Sequence, residues 1–260
     1  MPGDVSSQFV TGLLFALPLL EGESIIRLTS PLESRGYVDM TLQVLRDRGI
    51  RVEELPEGFR VPGGQQYGRG TLGEEADYSQ AAFWLAAAGL GSPLTVEGLD
   101  PDSTQGDRCV VPYFQQLAGP GRVELDIAQC PDLAPALAVR AALRPGQTAR
   151  LVNAGRLRLK ECDRLAAIPE ELNKLGGQLT EGADFLEIRG VERLLGGVAD
   201  SHNDHRIAMM LAVAATRAEG TVTIRGAESV AKSYPDFWEV YESLGGRVLR
   251  QREEREACDM

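Results

Sequence analysis

The chain has 260 residues, 43% hydrophobic and 25% charged, which suits an ordinary globular protein of one large or two smaller domains. Its formal net charge of −11 excludes a global basic footprint for nucleic acid or an anionic membrane, so an anionic ligand needs a local basic pocket. The four cysteines (Cys109, Cys130, Cys162, Cys258) have no paired spacing, which fits a reducing cytoplasm better than a disulfide framework or a zinc site. The longest apolar run, residues 9–20, is too short to span a bilayer and is broken by Thr11, Gly12 and Pro18. It also lacks the basic region that opens a signal peptide.

Taken in order, the chain repeats one pattern four times. A helical segment ends at a glycine, a β-rich run follows, and then a second helix, a second glycine and a second strand-like run. The first copy predicts helices at 8–20 and 37–48 and strands at 24–28 and 50–52. A glycine-rich stretch at 63–70 is the best boundary in the chain. The second copy predicts helices at 77–90 and 108–118 and strands at 94–96 and 122–125. The third predicts helices at 132–143 and 162–175 and strands at 148–152, 178–180 and 185–188. The fourth predicts helices at 206–218 and 235–244 and strands at 221–224 and 247–249, before a polar tail at 251–260 that is expected to fray.

Counting back equally from Gly22, Gly91, Gly146 and Gly220 reaches Gln8, Asp77, Asp132 and Arg206. All four are polar and open a predicted helix. Capping explains each position singly. Several helix N-termini aimed at one point would instead make an anion site. The densest charge cluster is Leu159-Lys160-Glu161-Cys162-Asp163-Arg164, beside Arg156 and Arg158. Lys160 and Arg164 are four apart at a predicted helix opening, where they would share a face. A self-paired, solvated charge run is the plainer explanation of that stretch. His202 and His205 lack the companions of a zinc site, and Cys162 has no histidine near it in sequence to activate it.

Six stretches together resemble a known family. They are Gly3-Asp4-Val5-Ser6-Ser7-Gln8-Phe9, Glu33-Ser34-Arg35-Gly36-Tyr37, Pro131-Asp132, Leu159-Lys160-Glu161-Cys162-Asp163-Arg164, Asp204-His205-Arg206-Ile207-Ala208-Met209, and Lys232-Ser233-Tyr234-Pro235-Asp236-Phe237. In this order they resemble 5-enolpyruvylshikimate-3-phosphate (EPSP) synthase over nearly the whole chain. The resemblance implies an α/β fold of repeated βαβαββ-like units, the enolpyruvyl transferase fold. Residues 1–70 would be the last unit of a first, shikimate 3-phosphate-binding domain, and 71–260 a C-terminal domain of three units. It also implies that a sizeable N-terminal segment is absent, so that the chain is a truncated form with a partial site, and that a complementing N-terminal segment is a partner.

The implied activity is transfer of the enolpyruvyl group of phosphoenolpyruvate to the 5-hydroxyl of shikimate 3-phosphate, with release of phosphate. No metal or organic cofactor is implied, and neither nucleic acid nor membrane is an expected partner. The catalytic residues implied are Asp132, Lys160 and Glu161. Ser6, Ser7, Gln8, Ser34, Arg35, Tyr37, Asp132 and Lys160 match contacts of shikimate 3-phosphate. Arg164, Arg206 and Lys232 match the cations that clamp phosphoenolpyruvate. Gly36 stands where proline is common in the family, and Cys162 where serine or threonine is common. Two other readings stay open: a sister enolpyruvyl transferase acting on UDP-N-acetylglucosamine, and a non-catalytic binding fragment.

Overall fold

The structure is a computed structural model and describes residues 1–71, 73 and 75–251. The tail expected to fray therefore lies, from residue 252 on, outside the described residues. Helix α1 (Ser7–Ala16) opens where the Ser6 hydroxyl accepts the Gln8 N–H, a common N-cap. Strand β1 (Glu23–Arg27), helix α2 (Arg35–Asp47) and strands β2 (Glu53–Leu55) and β3 (Gly58–Pro62) follow. The three strands form an antiparallel sheet in the order β1-β3-β2. Glycine is required at position 58: its φ is +142°, and a Cβ there would lie 1.9 Å from the Ile26 carbonyl oxygen.

Beyond residue 77 come helices α3 (Tyr78–Gly89) and α4 (Val110–Gln116), strand β4 (Gly121–Asp126), helix α5 (Ala134–Ala142), strand β5 (Gln147–Val152) and helix α6 (Arg164–Lys174). Then come strands β6 (Gln178–Glu181), β7 (Phe185–Arg189) and β8 (Leu194–Asp200), helix α7 (His205–Ala215), strand β9 (Ala218–Arg225) and helix α8 (Phe237–Ser243). One sheet has the order β4-β5-β7-β6, with β4 and β5 parallel and the remaining pairs antiparallel. The run β4-α5-β5-α6-β6-β7 is therefore a βαβαββ unit; its parallel pair needs a crossover, which α5 supplies. Strands β8 and β9 pair in parallel across α7 and begin the same pattern again.

The buried hydrophobic residues fall into two clusters. The smaller gathers Val10, Leu14, Val38, Leu45, Phe59 and their neighbours from α1, α2 and the first sheet. The larger draws on the chain from Tyr78 to Phe237. At its centre α3, α5 and α7 pack on one another, and every residue of α5 is buried. Alanines on all three helices permit this close approach. The fully buried Leu133 and Leu137 are each worth about 1.5–3 kcal/mol by area removed from water.

Several expected elements differ. Residues 94–96 and 247–249 form no strand, because β-propensity without a hydrogen-bonding neighbour does not make one. Leu249 is exposed. Residues 50–52 are coil, and the strand begins at Glu53. The helix predicted from 162 begins at Arg164, because the Asp163 carboxylate accepts the Ala166 N–H and sets the N-cap there. Lys160 thus sits in extended backbone after a 3-10 turn (Gly155–Leu159), not on a helix face shared with Arg164. Among the described residues no helix is long and apolar enough to cross a membrane.

Candidate active site

Arg164 stands at the first position of α6, and its side chain is wholly buried. Its guanidinium reaches three carboxylates. Nε donates to Asp204 Oδ2 at 2.7 Å, Nη1 to Asp132 Oδ1 at 2.9 Å and Nη2 to Glu161 Oε2 at 2.6 Å. Nη2 also lies 3.2 Å from Asp204 Oδ1, so the pairing with Asp204 is bidentate. These four bonds exceed the three N–H donors of a lysine, and the planar five-donor fork of an arginine supplies them.

Each acid is delivered by the start of an element. Asp204 is the N-cap of α7, accepts the Arg206 N–H at 2.8 Å, and has no exposed surface. Asp132 sits in the 3-10 turn Pro131–Leu133 that leads into α5. Glu161 precedes α6. Two further cations converge on Asp132: Lys160 Nζ at 3.1 Å and Arg206 Nη2 at 3.2 Å. The cluster is thus built where α5, α6 and α7 begin.

The electrostatics follow from this crowding. Burial works to raise the Asp132 pKa, but Arg206, Lys160 and Arg164 outweigh it and hold the carboxyl far below its usual range. Burial likewise opposes ionisation of Asp204, and the bond from Arg164 overcomes it, leaving the pKa lowered. Arg164 loses solvation on burial, yet its bond to Asp204 raises its pKa overall. The Cys162 thiol donates to Asp204 Oδ2 at 3.5 Å, and burial, with the Asp204 charge, pushes its pKa up to about 12. A thiol so raised is a poor nucleophile.

Lys232 donates to the carbonyl of Asn203, next to Asp204 in the turn that opens α7. His202 and Asn203 both have positive φ in that turn. The turn is tied to α6 through His202 Nε2, 2.6 Å from Glu171 Oε1. Glu170, Glu171 and His202 bring three potential metal-ligand atoms within 4.8 Å of one another. Lys174 Nζ lies 2.9 and 2.8 Å from the two glutamates and already supplies their cation.

A second group lies where the two clusters meet. Ser34, in left-handed conformation (φ 54°), accepts from Arg156 Nη1 at 3.0 Å. The Arg35 N–H donates to Gln129 Oε1 at 2.9 Å, while the Arg35 guanidinium pairs with Asp39 and Glu54. The Tyr37 hydroxyl donates to Asp107. Ser6, Ser7 and Gln8 stay at the opening of α1, and no hydrogen bond among the described residues joins them to the Asp132 cluster.

Three participants escaped the sequence reading. Asp204, named in sequence only within the Asp204-His205-Arg206 stretch, stands directly before a predicted helix, where an acid reads first as an N-cap. Arg156 reads in sequence only as a member of a basic run. Asp107 carried no local signal at all, since its partner Tyr37 is 70 residues away.

A family model described as EPSP synthase (3-phosphoshikimate 1-carboxyvinyltransferase) matches residues 1–241. The chain belongs to the EPSP synthase family. The 3-phosphoshikimate 1-carboxyvinyltransferase of Clostridium acetobutylicum is 46% identical over 262 residues, covering 95% of this chain and 61% of that protein. The enzyme of the same name from Clostridium kluyveri is 47% identical with the same coverage. A solved EPSP synthase from Acinetobacter baumannii superposes with a TM-score of 0.74 at 26% identity, covering 92% of this chain and 60% of that one. The chain thus spans about three-fifths of the length of the EPSP synthases it matches.

Proposed function

We propose that this chain contributes the acid, base and cationic groups of a carboxyvinyl-transfer site that joins phosphoenolpyruvate to the 5-hydroxyl of shikimate 3-phosphate and releases phosphate. The observation that carries the reading is the meeting of Asp132, Lys160, Glu161, Arg164 and Arg206 at three element starts. In the reaction the substrate hydroxyl oxygen bonds to C2 of phosphoenolpyruvate while C3 gains a proton, giving a tetrahedral ketal. Loss of a proton from C3 with departure of phosphate then restores the double bond.

Asp132 is the group assigned to the substrate hydroxyl. Its cations keep it ionised without ligand. Anionic substrates would draw Lys160 and Arg206 toward themselves and make the Asp132 carboxylate more basic when it must take a proton. Glu161, partly exposed at the cluster's edge, is assigned the proton traffic at C3. Arg206 and Lys232 are assigned to the phosphate and carboxylate of phosphoenolpyruvate, where arginine gives bidentate contact and lysine a point charge. Arg164, also matched to that substrate, has no exposed surface, so its proposed part is to hold Glu161, Asp132 and Asp204 in register. Ser6, Ser7, Gln8, Ser34, Arg35, Tyr37 and Lys160 are assigned to shikimate 3-phosphate.

Residues 1–70 are read as the last unit of a first domain and 71–260 as a second domain of three units, a division supported by the two hydrophobic clusters. A complementing segment is the proposed partner of the first unit, where Val5, Phe9, Leu13, Leu19 and Ile25 are exposed, Phe9 to 59%. The same observation favours a second reading, a binding half without turnover of its own. A cytoplasmic location is proposed, and the free thiols of Cys109, Cys130 and Cys162 fit it. Titration calorimetry tests the substrate class. Saturable binding of shikimate 3-phosphate that Asp132→Asn abolishes is expected. Saturable binding of UDP-N-acetylglucosamine in its place would favour the sister transferase.

A further inference from the structure

Asp107 is a buried carboxylate that the proposed reaction does not use. It is 1% exposed, and among the described residues no cation lies within ion-pair distance of it. Its partners are hydroxyls. Tyr37 donates to Oδ1 and Oδ2 at 3.0 Å each, and the buried Ser79 donates to Oδ2. Burying a carboxylate without a cation is costly, so its hydroxyl partners must be held firmly. Burial pushes its pKa up, and the Ser79 bond opposes that rise.

The Tyr37–Asp107 bond crosses the seam between the two hydrophobic clusters. Tyr37 lies on α2 of the smaller unit, while Asp107 and Ser79 belong to the larger. The other residues of the same short segment are gripped from the same side: Gln129 accepts the Arg35 N–H, and Arg156 donates to the Ser34 hydroxyl. Gly36 between them approaches Gly106 so closely that a Cβ would lie 3.0 Å from the Gly106 Cα. One residue of the larger unit therefore answers each of Ser34, Arg35 and Tyr37. Gln129 lies three residues before Asp132 and Arg156 four before Lys160, so the bonds from Arg35 and Ser34 place this segment beside the catalytic cluster, and the charges of Asp132 and Arg206 act on both Tyr37 and Asp107.

We infer that Asp107 is a positioning residue for the polyol phosphate substrate: by taking the single phenolic proton of Tyr37, it leaves that oxygen a pure hydrogen-bond acceptor, which receives a substrate hydroxyl. This rests on the reading of Tyr37 as a substrate contact. Gln129 supports the same segment by holding its backbone at Arg35.

The test uses the full chain labelled with [13Cζ]tyrosine, in unmodified form and as Asp107→Asn, Tyr37→Phe and the double variant, with shikimate 3-phosphate and phosphoenolpyruvate as probes. The Tyr37 resonance, assigned by its loss in Tyr37→Phe, moves in Asp107→Asn. The Kd for shikimate 3-phosphate rises about tenfold in either single variant and no further in the double, while that for phosphoenolpyruvate stays within about twofold. An unmoved resonance, additive losses, or an unchanged Kd in Asp107→Asn would overturn the inference. Loss of binding in Tyr37→Phe with none in Asp107→Asn would overturn it while sparing the substrate reading. Failure of the unmodified chain to bind shikimate 3-phosphate, with the resonance still moving, would overturn the substrate reading and the role built on it. Should Asp107→Asn not fold, Ser79→Ala replaces it, since it removes the other hydroxyl bonded to Asp107 and leaves Tyr37 as its sole hydroxyl partner among the described residues. A moved Tyr37 resonance and a changed Kd for shikimate 3-phosphate are then expected, and an unmoved resonance with an unchanged Kd would refute the inference.

Discussion

Replacing Arg164 by methionine keeps much of the side-chain volume and removes the cation. Its three carboxylates are affected unequally. Glu161 is 39% exposed and can be rehydrated, and Asp132 keeps Lys160 and Arg206. Asp204 has no exposed surface and loses its bidentate partner. The cost therefore falls mainly on Asp204, and removing one member of a buried ion pair costs about 3–5 kcal/mol. For a domain of this size each kcal/mol moves the midpoint by roughly 2–4 °C, so Arg164→Met should melt about 6–20 °C lower at pH 7. Adding Asp204→Asn keeps a capping side chain and removes the stranded charge, so the double variant should regain much of the loss.

The pH dependence has a definite sign. The folded-state pKa of Asp204 is lowered, so its stabilisation is present above the unfolded carboxylate value of about 3.9 and is lost as pH falls through the folded value. Without Arg164 the buried carboxyl resists ionisation and its folded pKa rises above about 3.9, so its penalty is present above that raised value. The gap between variant and parent should narrow as pH falls toward about 4. Melting followed by circular dichroism measures all of this. A single variant melting within about 2 °C of the parent, or a double variant no more stable than the single, would refute the assignment.

Three other outcomes follow from the same geometry. Phe9→Ser with Leu13→Ser should reduce self-association of the chain in analytical ultracentrifugation, since both side chains are exposed on α1; an unchanged sedimentation profile would count against that face as a contact surface. Gly58→Ala should cost at least about 1–3 kcal/mol, because its Cβ would meet the Ile26 carbonyl, with faster hydrogen exchange in β1 and β3 as the readout; protection equal to the parent would contradict this. Cys162, with its pKa pushed up to about 12, should be alkylated by iodoacetamide at pH 8 far more slowly than an unfolded-peptide thiol, as site-resolved mass spectrometry would record; equal rates would contradict it.

What the sequence discloses depends on how local the signal is. Glycines after Arg48, Leu90 and Leu175 close helices by a rule that acts within a few residues, and those helices are present, whereas α1 ends at Ala16, well before Gly22. The α/β class follows from their alternation with strands such as β5 and β9. Strand β8 is not legible because Gly196 and Gly197 interrupt its apolar pattern, and β3 is not because Gly58 and Pro62 read as turn residues. Residues 94–96 have strand composition, but whether a strand forms depends on a distant edge that composition does not encode. The site divides the same way. Lys160, Glu161 and Arg164 announce themselves as a dense motif, whereas the burial of Arg164 against Asp204, 40 residues away, is a tertiary fact. Asp204 was hidden by a sound alternative, since it caps α7 as well.

Phosphate release from shikimate 3-phosphate and phosphoenolpyruvate tests the central claim most directly, measured with this chain and an N-terminal segment of a related EPSP synthase, and repeated with Glu161→Gln. The account predicts turnover by the assembled pair and a fall of at least about a hundredfold in the variant. Assembly without phosphate release, or turnover that Glu161→Gln leaves intact, would contradict it.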